Sequence, residues 1–153
     1  MPFAIDPTSK PKRQVRSAAR ERLDLAIDAL TRLEQDEHAD VEAIVHDVRK
    51  RGKEIRALAR LVRPAIGSEF DRCNRLVRDA AKELSPIRDA HALLGTLDDL
   101  RSAADDAGDI DLEAVRHRQA ERANAATDSL QPGDSRIRHA AELLVSARKG
   151  VRR

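Results

Sequence analysis

A row of basic side chains at helical spacing between residues 46 and 63 constrains the fold more than any other feature of this sequence. At about 100° per residue, these cations fall within an arc of about 140° on one side of a helix. Apolar side chains of the same segment fall on the opposite side: they are Ile44, Val48, Ile55, Leu58, Ala59 and Val62. Pro64 ends the pattern because a proline pushes the preceding residue away from the helical region. The segment therefore predicts an amphipathic helix with one apolar face and one cationic face.

We call the cationic face of this helix the basic stripe, which comprises His46, Arg49, Lys50, Lys53, Arg56, Arg60 and Arg63. A stripe of about 17 residues extends for about 26 Å along a helix, which suits a linear polyanion better than one small ligand. Like charges four residues apart destabilise a helix by a few tenths of a kcal/mol per pair. The stripe therefore indicates an anionic ligand that offsets this repulsion.

The remaining composition favours an all-α fold. The chain has 153 residues, of one-domain size, and 41% of them are hydrophobic, yet it contains two Phe, no Trp and no Tyr. A core made of Ala, Leu, Val and Ile suits close packing of helices better than a sheet, which favours aromatic and β-branched residues. The single cysteine, Cys73, is predicted to be a buried thiol because it cannot form an internal disulfide.

Apolar periodicity predicts helices over about residues 14–33, 41–63, 68–84, 85–100, 111–129 and from 135 toward the C-terminus. We predict that Asp40 and Ser85 are N-caps. Leu93, Leu94, Leu97 and Leu100 are the expected core residues of the fourth helix. Residues 1–13 hold three prolines and a basic cluster, which predicts a flexible basic arm before one domain at 14–153.

Opposite charges are segregated along the chain although the formal net charge is only +2. Residues 46–63 contain seven Lys or Arg and two acids, whereas residues 98–113 contain seven acids and one Arg. We interpret the acidic segment at 101–111 as a solvated loop. No Gly-rich phosphate loop accompanies its carboxylates, Asp98, Asp99, Asp105, Asp106 and Asp109, so we do not expect phosphoryl-transfer chemistry.

Further cations follow on the next helices. Arg75, Arg78 and Lys82 are spaced i, i+3 and i+7 on one side of the third helix. The fourth helix carries Arg88 and His91 in its first turns. Arg16 and Arg20 of the first helix could extend the basic surface, although a solvated helix end is the explanation that we favour.

Three motifs in this region resemble the conserved histidine α-helical domain, or CHAD, family. They are His46-x-x-Arg49-Lys50-x-x-Lys53-x-x-Arg56, then Asn74-Arg75-x-x-Arg78, then Leu84-Ser85-Pro86-Ile87-Arg88-Asp89. An Asp-x-Glu-Ala segment at 40–43, also typical of the family, precedes the first motif. The resemblance is clearest over residues 40–100 and extends to the single domain at 14–153.

The resemblance implies a four-helix CHAD-type bundle, here with one or two additional C-terminal helices, and a basic surface that binds inorganic polyphosphate. The polyphosphate-binding residues it implies are His46, Arg49, Lys50, Lys53, Arg56, Arg60, Arg63, Arg75, Arg78, Lys82, Arg88 and His91, extended by Arg16 and Arg20. Complete family domains have two related bundles. Either one bundle acts alone here, or two chains form a C2 homodimer that restores the pair.

Several functional alternatives remain open. Near absence of aromatic side chains disfavours single-stranded nucleic-acid modules, but a cationic helix can also enter a DNA major groove or serve as a scaffold. His46 and His91 could bind a divalent metal, although a site needs three or four donors and no further motif supplies them. We expect no cofactor and no catalysis, apart from an accessory role beside a triphosphate-processing enzyme. With no apolar run long enough for a membrane span, we expect a cytoplasmic protein, associated with polyphosphate granules.

Overall fold

The computed structural model of the protein describes residues 10–103 and 112–151. In these two ranges the chain forms helices and no strand, which confirms the all-α prediction. The helices are α1 (Pro11–Gln35), α2 (Val41–Leu61), α3 (Arg63–Ile66), α4 (Ser68–Glu83), α5 (Ser85–Ala103), α6 (Leu112–Asp128) and α7 (Ser135–Gly150).

Four of the long helices form a closed bundle. α1 packs against α2 and α7, and α4 packs against the same two helices. α5 and α6 form a separate hairpin, of which α5 also contacts α2 and α4. The predicted bundle with additional helices is therefore present, but its fourth member is the C-terminal helix α7, and the additional helices lie before α7 in sequence.

Local side-chain chemistry sets the ends of these helices. The Asp40 carboxylate accepts a hydrogen bond from the backbone N–H of Ala43 at 3.0 Å, which confirms Asp40 as the N-cap of α2. α2 ends at Leu61, and the single turn α3 contains Pro64 at a position where its missing N–H is not needed. Gly67 then takes a φ of +51°, a conformation that glycine adopts without a Cβ clash, and leads the chain into α4.

An aliphatic core holds the bundle together, as the composition predicts. Its largest fully buried side chains come from every bundle helix, from the first turn of α5 and from the linking segments: Leu23, Leu30, Leu33, Val45, Ile55, Val77, Leu84, Ile87, Leu130, Ile137 and Leu144. Removal of a buried Leu or Ile side chain from such a core typically costs about 2–5 kcal/mol. The apolar face of α2 is therefore anchored firmly while its opposite face remains in water.

The predicted core of α5 is wrong at two positions. Leu93 and Leu100 are 47% and 53% exposed, whereas Ile87 in the first turn of the helix is buried. The leucines face solvent because α7, not α5, completes the bundle, and α5 packs mainly along α6. Periodicity correctly identifies an apolar face, but it cannot tell which element covers that face.

Other boundaries and environments differ from the predictions in smaller ways. α1 begins at Pro11 and α5 continues to Ala103, so residues 11–13 and 101–103 are helical instead of belonging to a flexible arm and a loop. Residues 1–9 and 104–111, on which the rest of those two predictions falls, lie outside the described residues. Cys73 is half-buried rather than buried. Ser85 is the first residue of α5, and its hydroxyl group donates to the carbonyl of Ala81 at 3.3 Å.

At Gly52, α2 packs closely against α4. A Cβ atom at this position would lie 3.4 Å from Cγ1 of Val77, at the short limit of ordinary van der Waals contact. We expect Gly52→Ala to fit this space and to stabilise the protein by up to about 1 kcal/mol through higher helix propensity. Gly52→Leu should overpack the contact and destabilise by about 1–3 kcal/mol. Urea unfolding followed by far-UV circular dichroism measures both values, and equal effects of the two substitutions would contradict the close approach.

Candidate functional site

The line where α2 meets α4 is bridged by two arginines of the basic stripe, and we call this line the α2–α4 seam. Arg49 donates from one terminal nitrogen to the carbonyl of Ala81 at 3.0 Å and to Oγ of Ser85 at 2.8 Å. Arg56 donates from Nε to Oδ1 of Asn74 at 2.8 Å. These contacts run in opposite order along the two helices, so α2 and α4 are antiparallel and the Gly52 contact lies between the two bridges.

Arg49 and Arg56 therefore differ from ordinary surface cations. Both side chains are half-buried, and each makes a hydrogen bond that spans two helices. An arginine has five N–H donors in a rigid fork, and the bonds described above use only some of them. The remaining donors belong to guanidinium groups whose positions are already fixed, which lowers the entropy lost when they bind an anion.

Exposed cations border the seam on both helices. The exposed ones are Lys50, Lys53 and Arg60 on α2, and Arg75, Arg78 and Lys82 on α4. Among described residues, only Arg78 of this group has a side-chain partner, the adjacent Asp79 at 3.1 Å. At the start of α3, the guanidinium of Arg63 lies 4.9 Å from the centre of the Phe70 ring, within cation–π range.

Six arginines elsewhere in the described part of the chain are paired with carboxylates. Pairs between elements join Arg22 to Glu54, Arg116 to Asp98, Arg101 to Glu113 and Arg148 to Asp24. Pairs within or beside an element join Arg51 to Asp47 and Arg136 to Asp134. The exposed seam cations differ from these six, because among the described residues only Arg78 has a carboxylate within salt-bridge distance.

Three other predicted residues line a second concave region between α2 and α5, the α2–α5 cleft. The cleft has a volume of about 420 Å³, and His46, Arg88 and His91 are in its walls together with Glu42 and Asp99. His46 is exposed and Arg88 is half-exposed. Because Arg49 bonds to Ser85 at the start of α5, the cleft adjoins one end of the seam.

His91 makes contacts with two other helices. Its Nδ1 lies 3.0 Å from a carboxylate oxygen of Glu42 on α2, and its Nε2 lies 2.8 Å from Oγ1 of Thr127 on α6. Its side chain is only 15% exposed. Both ring nitrogens are therefore used within the protein, which makes His91 a residue that positions the α5–α6 hairpin beside α2. Sequence reasoning named His91 but missed both partners, since no local motif indicates either one.

The possible extension of the site lies elsewhere. Arg16 and Arg20 belong to α1, which packs against α2 and α7, and Arg16 lines a cavity at one end of the bundle. These two arginines are half-buried and do not border the α2–α4 seam.

Two acidic residues of α5, Asp98 and Asp99, lie in different surroundings. Asp98 accepts a 2.5 Å hydrogen bond from Nε of Arg116, and this bond lowers the pKa of the Asp98 carboxyl group. Asp99 lines the α2–α5 cleft. Asp105, Asp106 and Asp109 lie outside the described residues. Within the described ranges, no three His, Cys, Asp or Glu side chains are grouped in a way that could hold a metal ion.

Comparison with known protein families agrees with the motif pattern around the seam. The model of the CHAD domain family matches residues 17–149, and the chain therefore belongs to the CHAD domain family. The match includes all of α2, α4, α5 and α6 and most of α1 and α7. No curated protein and no solved structure matches the chain. None of the described helices is long and apolar enough to cross a membrane.

The contacts of His91 lead to a stability prediction. His91→Ala removes a hydrogen-bonding partner of both Glu42 and Thr127, and we expect it to destabilise the protein by about 1–3 kcal/mol. His117→Ala is the matched control, because that imidazole is 77% exposed and pairs only along its own helix with Glu121. Its expected cost is below about 0.5 kcal/mol. Urea unfolding at pH 7 compares the two, and equal costs would show that His91 does not position the hairpin.

Proposed function

We propose that this protein binds inorganic polyphosphate, without catalysis, along the α2–α4 seam and into the α2–α5 cleft. The observation that carries the proposal is the row of exposed cations on both sides of the seam, of which only Arg78 has a carboxylate partner among the described residues. Membership of the CHAD family, which is associated with binding of triphosphate and polyphosphate, supports it independently. Binding of this kind would place the protein at polyphosphate granules.

Polyphosphate is a flexible chain with about one negative charge per phosphate and no bases to recognise. A receptor for it needs regularly spaced donors, with Arg for bidentate contacts and Lys as an adaptable point charge. Arg49 and Arg56, held by their bonds across the seam, supply donors of fixed position. Lys50, Lys53 and Lys82 supply charge on flexible side chains that can follow the ligand.

The length of the site fits several phosphates. From His46 to Arg60 the basic stripe covers 15 residues, whose end-to-end rise is about 21 Å of helix. Arg75, Arg78 and Lys82 provide the parallel row on α4. Arg88 and the exposed imidazole of His46 can extend the path into the α2–α5 cleft, where His91 acts by holding α5 in place.

A nucleic acid or another polyanion is the main alternative ligand. Helices can bind phosphate backbones without aromatic residues, so exposed cations alone do not distinguish these polyanions. A competition titration of long-chain polyphosphate against duplex DNA and RNA at fixed ionic strength separates them. Preference for nucleic acid would reverse our assignment, and release of phosphate from polyphosphate in the presence of Mg²⁺ would contradict the proposed absence of catalysis.

Charge reversal in the seam tests the proposed site. We expect Lys53→Glu combined with Lys82→Glu to weaken polyphosphate binding by about 100-fold or more, because two phosphate contacts become repulsive. These lysines are exposed and make no hydrogen bond with another described residue, so the fold should be unaffected. Arg56→Glu is less suitable, since Arg56 also bonds to Asn74.

The matched control is Arg118→Glu combined with Arg138→Glu. These exposed arginines lie on α6 and α7, and the control changes the net charge by the same amount. Isothermal titration calorimetry at several salt concentrations should show little loss for the control. For the seam variant, a plot of log affinity against log salt concentration should have a smaller slope, by the amount expected for about two lost phosphate contacts. Equal losses in both variants would mean that net charge, and not the seam, governs binding.

We further propose that two chains associate through the α5–α6 hairpin. Leu93, Leu97 and Leu100 share one face of α5, and the first and last of them are about half exposed. Val115 lies on α6, the helix that packs along α5, and it is also exposed, so it adds apolar surface to the hairpin. In a dimer with a two-fold axis, the apolar faces of two such hairpins can pack against each other and form a second four-helix bundle.

Leu100→Glu should make the protein monomeric, because it places a charge in the proposed apolar interface. Leu25→Glu is the control, since Leu25 is also exposed but lies on α1. Sedimentation equilibrium with and without polyphosphate measures the association. A wild-type protein that is monomeric under both conditions would exclude the dimer, without affecting the proposal that one bundle binds polyphosphate.

A further inference from the structure

A cavity of about 640 Å³ opens at one end of the bundle, away from the α2–α5 cleft, and we call it the end cavity. It lies where α1 begins, α2 and α7 end, α3 turns and α4 begins, and all five helices contribute to its walls. The walls are mainly apolar, with Val15, Ile55, Ile66 and Leu76 as representative side chains. Its size is within the range of about 300–1,000 Å³ that is typical of small-molecule pockets.

Packing at this end explains why the cavity exists. The apolar core is divided into two clusters, and the smaller one contains only Val15, Ala18, Ala19 and Leu58 among its buried residues. Three buried wall positions, Ala19, Ala59 and Ala147, carry only a methyl group. The turn at α3, which contains Pro64, separates the end of α2 from the start of α4. Short side chains and separated helices together leave the volume unfilled.

The charged residues of the end cavity indicate the chemistry of its ligand. Lys12, Arg16 and Arg72 line it together with one acid, Glu69, so cationic groups predominate. Lys12 and Arg72 are exposed. An apolar interior with cationic groups beside it complements a molecule that has an alkyl chain and an anionic head. Polyphosphate lacks the apolar part, which means that this site is distinct from the α2–α4 seam.

We propose that the end cavity binds a single-chain anionic amphiphile, of which a medium-chain fatty acid is the simplest example. The alkyl chain occupies the space among Val15, Ile66 and Leu76, and the carboxylate pairs with the cations Lys12 and Arg72. This proposal does not depend on polyphosphate binding, because it uses different residues and a different end of the bundle.

Cys73 provides a direct test without any substitution. It lines the end cavity and is the only cysteine of the chain. Burial, together with the negative charge of Glu69, raises the pKa of its thiol, so alkylation at neutral pH should be slow but measurable. We expect sodium dodecanoate, below its micelle concentration, to slow alkylation of Cys73 by N-ethylmaleimide saturably by about tenfold or more. Unchanged alkylation rates at every dodecanoate concentration would overturn the proposal.

An uncharged ligand of equal chain length tests the role of the cations. 1-Dodecanol has the same alkyl chain as dodecanoate, and we expect it to protect Cys73 only at concentrations about tenfold higher. Equal protection by the two compounds would overturn the assignment of an anionic ligand.

Two matched pairs of variants locate the binding to the end cavity. Ala59→Leu adds side-chain volume at a buried wall position, and Ala57→Leu makes the same change at an exposed position of α2. Arg72→Glu reverses a charge at the cavity, and Arg118→Glu does so on α6. Binding is measured with 11-(dansylamino)undecanoic acid, a fluorescent fatty acid, in the full-length protein.

We expect about tenfold weaker binding for Ala59→Leu and for Arg72→Glu, and unchanged binding for the two controls. If Ala59→Leu disturbs the fold, as circular dichroism would show, the surface substitution Arg72→Glu still decides the question. Equal affinity in Arg72→Glu and Arg118→Glu would overturn the proposed contact with the carboxylate. Failure of the wild-type protein to bind this probe saturably would overturn the site itself.

Discussion

The contact between α2 and α4 at Gly52 and Val77 is the constraint on which the rest of the structure depends. A residue larger than alanine at position 52 would push the two helices apart, and the hydrogen bonds of Arg49 and Arg56 across the seam would then be too long. Those bonds fix two guanidinium groups in a surface where the other cations are flexible. The glycine itself costs up to about 1 kcal/mol of helix propensity relative to alanine.

Burial on one side of α2 makes the charge on its other side possible. Val45, Val48 and Ile55 are almost completely buried, and each such side chain contributes about 1.5–3 kcal/mol of hydrophobic stabilisation. Repulsion between neighbouring cations costs only a few tenths of a kcal/mol per pair in water. The fold can therefore keep a row of uncompensated positive charges, as a binder of polyanions requires, without losing its stability.

Sequence patterns predicted the helices well because local interactions determine them. Helical periodicity identified all the long helices, and the carboxylate of Asp40 caps α2 as its position predicts. The prediction for α5 was wrong where it depended on the partner of a face, since Leu93 and Leu100 are exposed. The family match over residues 17–149 extends well beyond the segment at 40–100 in which the motifs are clearest.

The sequence by itself determined the fold class, the amphipathic division of α2, the family and the set of candidate cations, because these depend on residue type and on spacing along one helix. Only the tertiary structure decided that α7 completes the bundle, and that Arg49 and Arg56 bond across a seam. It also decided that His91 joins three helices through Glu42 and Thr127, and that small side chains from several helices leave a cavity around Cys73. Each of these features is a contact between residues far apart in the chain, which no local pattern encodes.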